Sequence, residues 1–302
     1  MSQTLAHNIP GERFLGIGVT GVVVQRGDKA LKKPREYDTA NATPTRKHEL
    51  EWLMEVSRRK MRTEMQVYRH LGDHDGIIKV FCELPIDNHD ETLGNELIVM
   101  PYMKNGTLQE YLSAKEPDHL LQDRWTRTLA ATVTFCHNKH VLIADIGSRN
   151  CLLADDLSLK LCDFGESTIV PLDLNMTEVN DNGVSVKTDI AQFGSLVYEI
   201  FTRINLSDPR RARLNFVEDE VKDTSQGAYD DSGGDSEDES RAEGYEGTEG
   251  ASDVICNANK SQWPRIEDLP STENIRFGTI IQRSWTKSYR AMDQVIRDLT
   301  NC

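Results

Sequence analysis

The stretch that decides the fold is "IADIGSRNCLLADDLSLKLCDFG", residues 143–165. Asp145 is followed five positions later by Asn150, and Asp163 comes thirteen positions after Asn150. The two apolar runs between Asn150 and Asp163 predict a short hairpin, which would bring these two side chains together. Their oxygen atoms are the hard ligands that Mg²⁺ prefers. The stretch therefore predicts a magnesium site. Its Asp…Asn spacing is that of a phosphoryl-transfer loop, in which the Asp145 carboxylate would face the hydroxyl group that accepts the phosphate.

A glycine-rich pattern lies upstream of this stretch. Gly16, Gly18 and Gly21 are spaced as G-x-G-x-x-G. The β-branched run after Gly21 predicts a strand, so we expect a strand–loop–strand flap, whereas dinucleotide-binding folds continue into a helix. Glycines without a Cβ let backbone N–H groups approach phosphate oxygens. An ordinary hairpin turn is the alternative interpretation of the pattern.

A lysine and a glutamate extend the candidate site. Lys32 lies in the predicted strand "KALKK" (29–33), where a lysine that faces the flap would hold phosphates as a point charge. Strand alternation places Lys33 on the opposite face, in solvent. Glu64 lies on a helix that apolar spacing predicts over 44–71. The alternative interpretation is that Lys32 and Glu64 are both solvated surface residues. Glu64 indicates a functional site only if it is the partner that holds Lys32 in place.

The wider pattern divides the chain into two parts. The first hundred residues predict the order β-β-β-α-β-β, with the last two strands at 77–84 and 96–103. This is a small antiparallel sheet with one long helix. After Asn105 and Gly106 the chain is mainly helical, and residues 187–204 predict a helix buried on most sides. We therefore expect an α+β fold.

Charge and composition exclude several classes of protein. The 302 residues carry a net charge of −14, which argues against binding to nucleic acid or to an anionic membrane. Residues 218–253 hold fourteen acidic residues against Lys222 and Arg241, a net charge of −12, so we expect a disordered insertion over about 217–260. The sequence has no signal core, no bilayer-spanning run and no C-x-x-C pair. We expect an intracellular protein, cytoplasmic or nuclear, with reduced thiols.

In this order, the motifs resemble the eukaryotic protein kinase catalytic domain. "LIVMPYMKNGTLQEYL" (97–112) resembles the family's fifth strand, hinge and next helix, and Asp189 to Gly194 resembles the D-x-x-x-x-G of its buried helix. The loop "DIGSRN" (145–150) is similar to a divergent group of fungal kinases, and "IIQRSW" (280–285) to tyrosine-kinase-like branches.

The resemblance implies a bilobal fold and a domain organisation. It covers about residues 12–300 apart from the acidic insertion. The implied parts are an N-terminal extension at 1–11 and a kinase domain at 12–302, with an N-lobe at about 12–100, a hinge at 101–105 and a C-lobe at 106–302.

The resemblance also assigns roles to individual residues. Lys32 would contact the α and β phosphates of ATP and pair with Glu64. Asn150 and Asp163 would bind Mg²⁺, and Asp145 would orient the acceptor hydroxyl and accept its proton. The implied ATP site consists of Gly16, Gly18, Gly21, Val23, Ala30, Lys32, Met100, Pro101, Met103 and Leu152.

The catalytic loop departs from the family pattern at three positions. Ile143 and Ala144 stand where the family has His and Arg. We expect Ile143 to fill an apolar stack, and we expect activity without the activation-segment phosphorylation that the Arg usually senses. Gly147 stands where Ser/Thr kinases have a Lys. Arg149, where tyrosine kinases carry an Arg, would supply the missing positive charge.

The expected activity is that of an ATP-dependent protein kinase. We expect it to act on Ser/Thr hydroxyls rather than Tyr, on protein or peptide substrates that are basic. Two alternatives stay open. One is an ATP-binding pseudokinase that acts as a scaffold. The other is a small-molecule phosphotransferase, a class that shares the Asp…Asn loop and the later metal-binding Asp.

Overall fold

The computed structural model describes residues 11–18, 20–81, 97–180, 183–206, 216 and 263–302. The acidic insertion predicted over 217–260 and most of the predicted N-terminal extension lie outside the described residues. The described chain has the predicted α+β architecture, with an antiparallel sheet and one long helix followed by a mainly helical part.

A four-stranded antiparallel sheet, in the order 1-2-3-4, forms the N-terminal part of the described chain. Its strands are β1 (Arg13–Ile17), β2 (Val22–Arg26), β3 (Lys29–Lys33) and β4 (Ile98–Pro101). Val23 lies opposite Lys32 in the register, and Ala30 lies opposite Met100. Because side chains alternate along a strand, these four residues share one face of the sheet.

The alternation along β3 separates Lys32 from Lys33, as predicted, but Lys33 is not left to solvent. Lys32 is buried, whereas the Lys33 ammonium pairs with Glu12 Oε1 at 2.8 Å. The Glu12 side chain is only 5% exposed. A carboxylate in that position needs cationic partners to offset its lost hydration, and Lys33 and Arg26 supply them.

The long helix α1 (Pro44–Leu71) has the bounds that the sequence predicts. Thr43 caps its start by accepting a hydrogen bond from the Arg46 amide, and Pro44 occupies the first helical turn, where its missing N–H costs nothing. The helix ends at Gly72, which has a φ of +71°.

The strand predicted over 77–84 is not formed in the described residues. Ile77 makes a single parallel bridge with Leu161, and Phe81 makes a single antiparallel bridge with Val99. The segment therefore passes from one sheet to another and does not pair along either. Residues 82–96 lie outside the described chain.

The remaining described chain is mainly helical, with short strands in and beside residues 143–165, here called the catalytic stretch. The helices are α2 (Leu108–Ala114), α3 (His119–Asn138), α4 (Val186–Thr202), α5 (Gly278–Trp285) and α6 (Met292–Thr300). The strands are β5 (Val141–Leu142), β6 (Cys151–Leu153), β7 (Leu159–Leu161) and β8 (Thr168–Ile169). β6 pairs with β7 as the predicted hairpin, and β5 pairs with β8. None of the described helices is long and apolar enough to cross a membrane.

Helix α4 is the central element of this helical part. Most of its residues are buried, and it packs against α5 at Gly194. The fully buried Trp285 of α5 donates a hydrogen bond from Nε1 to Ser195 Oγ at 2.9 Å. Ser185 caps the start of α4, and Asp189 lies in its first turn. The packing therefore fixes the position of this acidic N-terminal turn.

We expect Gly194→Val to lower the free energy of unfolding by roughly 1–3 kcal/mol, the usual cost of overpacking a core. A Cβ at Gly194 would lie 2.7 Å from Ser284 Cβ and 3.3 Å from the Ile281 carbonyl oxygen. Chemical denaturation measures the change. Gly16→Val is the matched control, because a Cβ at Gly16 meets no heavy atom within 4 Å. Equal stability of the two variants would contradict the close helix packing.

Candidate active site

A cavity of about 540 Å³ opens beside the sheet, lined by the glycine-rich turn, the segment after β4 and the catalytic stretch. All the site residues that the sequence predicts line it, except Asp145. These lining residues are Gly16, Gly18, Gly21, Val23, Ala30, Lys32, Glu64, Met100, Pro101, Met103, Arg149, Asn150, Leu152 and Asp163. Asp145 is joined to the cavity through hydrogen bonds with two of the lining residues.

The three glycines of the flap serve different physical purposes. At Gly21 a Cβ would lie 2.3 Å from the Lys33 carbonyl oxygen, so the close approach of β3 requires glycine there. A Cβ at Gly16 would meet open space and one at Gly18 only an ordinary contact, 3.9 Å from Thr20 Oγ1, and both glycines line the cavity. The Gly18 amide donates to the Gly21 carbonyl oxygen at 2.9 Å and closes the turn. The pattern is thus a strand–turn–strand hairpin whose open side faces the cavity.

Lys32, Glu64 and Asp163 form one buried charge cluster. The Lys32 ammonium donates to Glu64 Oε2 at 2.6 Å and lies 2.9 Å from Asp163 Oδ1. Lys32 is 4% exposed and Glu64 is fully buried, whereas the Asp163 side chain is one-third exposed toward the cavity. One ammonium group therefore holds two carboxylates, one from α1 and one that lies two residues after the end of β7.

The charges of this cluster shift its pKa values. Burial raises the pKa of the Glu64 carboxyl to about 7, although the Lys32 ammonium opposes the rise. Burial alone would lower the pKa of Lys32, but the carboxylates of Glu64 and Asp163 outweigh it, and the pKa lies above its ordinary value. Because two carboxylates share one cation, the lysine stays charged, and the buried Glu64 carboxyl is protonated more easily than an ordinary glutamate.

Asp163 is oriented by the residues on either side of it. It has a φ of +64°, in the left-handed region. Its amide donates to the Tyr68 hydroxyl at 3.3 Å, and the ring of the fully buried Phe164 meets the Tyr68 ring edge-on at 5.0 Å between centroids. A Cβ at Gly165 would lie 2.4 Å from Thr20 Cγ2, so glycine is needed beneath the flap. These contacts direct the Asp163 carboxylate toward Lys32.

Asp145 is held by its own loop. Asn150 donates from Nδ2 to the Asp145 backbone oxygen at 2.9 Å and to Oδ2 at 2.8 Å. Arg149 Nη2 makes an ion pair with Asp145 Oδ1. A 3-10 turn at Ser148–Asn150 brings both partners back to the carboxylate. The structure thus brings together three of the predicted site residues at the cavity's edge.

Asp189 of α4 anchors the start of this loop. Its fully buried carboxylate accepts hydrogen bonds from the backbone amides of Ile143 and Ala144, both at 2.8 Å, and from His137 Nε2 at 2.9 Å. Ala144 has a φ of +65°, a conformation that costs an L-residue roughly 1–2 kcal/mol. Ile143 is buried in the same core as Phe164 and Tyr68, where an apolar stack was expected.

Two features of the site were not predicted as site residues from the sequence. Asp189 was noted only as part of a helix motif, although it holds the loop. Glu199, ten residues further along α4, accepts from the Ser148 hydroxyl at 2.7 Å, and burial raises the pKa of its carboxyl. The partners lie 46 and 51 residues apart in the chain, so no local pattern could reveal them.

Comparison with known proteins identifies the same architecture. Residues 11–219, more than half of the chain, match the family model described as "Protein kinase domain". Among curated proteins, Fer-related kinase 1 of Caenorhabditis elegans is 29% identical over 208 residues, which is 65% of this chain and 49% of that protein.

Two further relatives carry names that differ in substrate. The tyrosine-protein kinase receptor svh-2 of Caenorhabditis elegans is 25% identical over 148 residues, 43% of this chain and 13% of that protein. The probable serine/threonine-protein kinase PBL22 of Arabidopsis thaliana is 27% identical over 176 residues, 46% of each protein. The chain spans less than half the length of these three relatives.

We expect Glu64→Gln to flatten the pH dependence of stability. The pKa of Glu64 rises from its ordinary value of 4.5 to about 7 in the folded chain. Between these values the folded chain binds more protons at this position than the unfolded chain, so its free energy of unfolding falls as pH rises. In thermal melts of the nucleotide-free protein, the melting temperature of the variant should therefore fall less steeply with pH than that of the wild type. The melts cover about pH 5 to 8, a range that contains the raised pKa of Glu64.

Glu49→Gln is the control for this experiment, because Glu49 is an exposed residue on the same helix. Its melting temperatures should follow the wild-type slope. Parallel slopes for Glu64→Gln and the wild type would mean that Glu64 is ionised throughout this range.

Proposed function

Because the chain belongs to the protein kinase family, we propose that it transfers the γ-phosphate of ATP to a hydroxyl group of a protein substrate. One observation carries the proposal. The Lys32–Glu64–Asp163 cluster and the Asp145–Asn150 pair meet at the edge of a single cavity. A phosphate chain in that cavity would reach a cation, two oxygen ligands and a carboxylate base at once.

The cavity suits a nucleotide in its apolar and charged parts. Val23, Ala30, Met100 and Leu152 offer an apolar slot for the adenine, as small-molecule sites usually do. The Lys32 ammonium stays charged between two carboxylates and would contact the α and β phosphates. Backbone amides of the glycine-rich flap would cover the phosphates. Pro101 and Met103 would line the adenine edge at the end of β4.

The donor set also suits Mg²⁺. Asn150 and Asp163, which carry an amide oxygen and a carboxylate, line the same cavity. Mg²⁺ commonly takes one or two protein oxygens and completes its shell with phosphates and water. Within the described ranges no group of three or more His, Cys, Asp or Glu could hold a metal ion. When bound, the ion would neutralise charge on the phosphate oxygens.

Asp145 is the proposed base. Its carboxylate accepts the proton of the acceptor hydroxyl while that oxygen forms a bond to the γ-phosphorus, and the bond from the γ-phosphorus to the ADP oxygen breaks. Asn150 and Arg149 hold the carboxylate in position. Arg149 would also supply a cation near the transferred phosphate, which Gly147 cannot do. The departures at the loop therefore leave a complete set of chemical groups.

The substrate is proposed to be a protein Ser or Thr hydroxyl rather than Tyr, on a basic peptide. The relatives' names include both a tyrosine kinase and a serine/threonine kinase, so they favour neither. The argument for basic peptides is charge. The stretch 218–253 carries a net charge of −12, which would attract cationic peptides at low ionic strength.

We expect the protein to transfer radiolabelled phosphate from ATP to basic Ser/Thr peptides, and we expect this transfer to require Mg²⁺. Asp163→Asn should lower the rate at least a hundredfold, because one oxygen ligand loses its charge, on the order of what a lost electrostatic group costs. Asp173→Asn is the matched control, an exposed residue outside the cavity that should keep the wild-type rate. Acidic peptides, tyrosine peptides, aminoglycosides and choline are tested in parallel.

The outcomes separate the alternatives. A thermal shift with Mg-ATP that Lys32→Met abolishes, without turnover of any acceptor, would identify a pseudokinase. Labelling of an aminoglycoside or choline would identify a small-molecule phosphotransferase. Phosphotyrosine as the product would reverse the choice of hydroxyl.

We further expect turnover to be independent of activation-segment phosphorylation, since Ala144 stands where the family has the arginine that binds such a phosphate. Thr177 is the candidate phosphorylation site in that segment, which runs from Gly165 to Asp189. It is exposed, and its hydroxyl donates to Asn175 Oδ1 at 2.8 Å. Phosphatase treatment and Thr177→Ala should each leave the rate within twofold, on the order of experimental scatter. A loss of turnover after either treatment would contradict this expectation.

A further inference from the structure

We infer that Gln192 is a positioning residue that clamps the backbone on both sides of Asp145. The Ile146 amide donates to Gln192 Oε1 at 2.9 Å, and Gln192 Nε2 donates to the Ala144 carbonyl oxygen at 2.8 Å. The two bonded peptide groups belong to the residues immediately before and after Asp145. A single side chain from α4 thus fixes the segment that carries the proposed base.

The chemistry of the partners makes this arrangement specific to a primary amide. An amide N–H can only donate and a carbonyl oxygen can only accept, so the bridging side chain needs one acceptor and one donor side by side. Gln offers both, at the end of two methylene groups. Glu offers the acceptor alone when ionised, and Leu offers neither. The same requirement fixes which end of the Gln192 amide faces Ile146.

The clamp completes an anchor that Asp189 begins. Asp189 lies three residues before Gln192, on the same face of α4, and takes the amides of Ile143 and Ala144. Ala144 is therefore held at its N–H by Asp189 and at its carbonyl by Gln192. Because Ala144 has a φ of +65°, the loop would relax toward an unstrained conformation if one hold were released. Such a relaxation would turn the Asp145 carboxylate away from its position.

The inference rests on the proposed function only through the role of Asp145. Gln192 does not line the nucleotide cavity, so its loss should leave the KM for ATP within twofold while kcat falls roughly ten- to hundredfold. The first variant is Gln192→Leu, which removes both hydrogen bonds. Gln192 is partly exposed, so an apolar side chain of similar size should be tolerated by the fold.

A matched control distinguishes positioning from general destabilisation. Gln122 is a buried glutamine of α3 whose Nε2 donates to the Ile200 carbonyl oxygen of α4 at 3.1 Å. Gln122→Leu therefore removes a backbone contact of the same helix at a distance from the loop. It should lower the melting temperature at least as much as Gln192→Leu and leave kcat unchanged. Equal losses of kcat in the two variants would overturn the positioning role.

Hydrogen exchange tests the clamp whether or not the protein turns over ATP. The Ile146 amide should exchange at least tenfold faster in Gln192→Leu than in the wild type, while the Ile143 and Ala144 amides keep the protection that Asp189 gives them. Gln192→Glu retains the acceptor and should keep Ile146 protected. Unchanged exchange at Ile146 in Gln192→Leu would overturn the clamp. Absence of turnover in the wild-type protein would refute the proposed function. The hydrogen-exchange result would still show whether Gln192 holds the backbone on both sides of Asp145.

Discussion

The Asp189 carboxylate is the contact on which the rest of the site depends. It has no exposed surface, and a buried ionised group is stable only when its oxygens are hydrogen-bonded. Two backbone amides and His137 satisfy it. Asp189 in turn lies in the first turn of α4, where the helix dipole favours a negative charge. The catalytic loop is thereby tied to the most buried helix of the described chain.

The packing of α4 makes this tie rigid. Gly194 lets α5 approach closely, and the buried Trp285 adds both contact area and a hydrogen bond to Ser195. A displacement of α4 would have to break this packing and release the loop at the same time. The position of the loop that carries Asp145 thus also depends on helix packing outside the cavity.

Anchoring through the backbone explains why the loop tolerates Ile143 and Ala144. Asp189 and Gln192 bind peptide groups, which every residue has, so the loop's conformation does not require a particular side chain at these positions. The Ile143 side chain contributes buried apolar surface, and the Ala144 methyl group is partly buried against the core. The Lys32 cluster follows the opposite logic, because its contacts join charged side chains and each residue type is required.

The sequence by itself determined the features that depend on local patterns. Apolar helical spacing predicted the bounds of α1, and two apolar runs predicted the hairpin between Asn150 and Asp163. Strand alternation separated Lys32 from Lys33. The prediction of a strand over 77–84 was wrong for its described residues, 77–81, because Ile77 and Phe81 bridge to two different sheets.

Tertiary structure alone decided the contacts between residues that are distant in the chain. Asp189 meets Ile143 and Gln192 meets Ile146, both pairs 46 residues apart, and Glu12 meets Lys33 across the sheet. A side chain's partner at such a distance depends on how whole elements pack, and no periodicity or turn signal encodes it. The sequence could therefore predict the residues that we propose to carry the chemistry, whereas the packing of α4 against the loop decided how those residues are held.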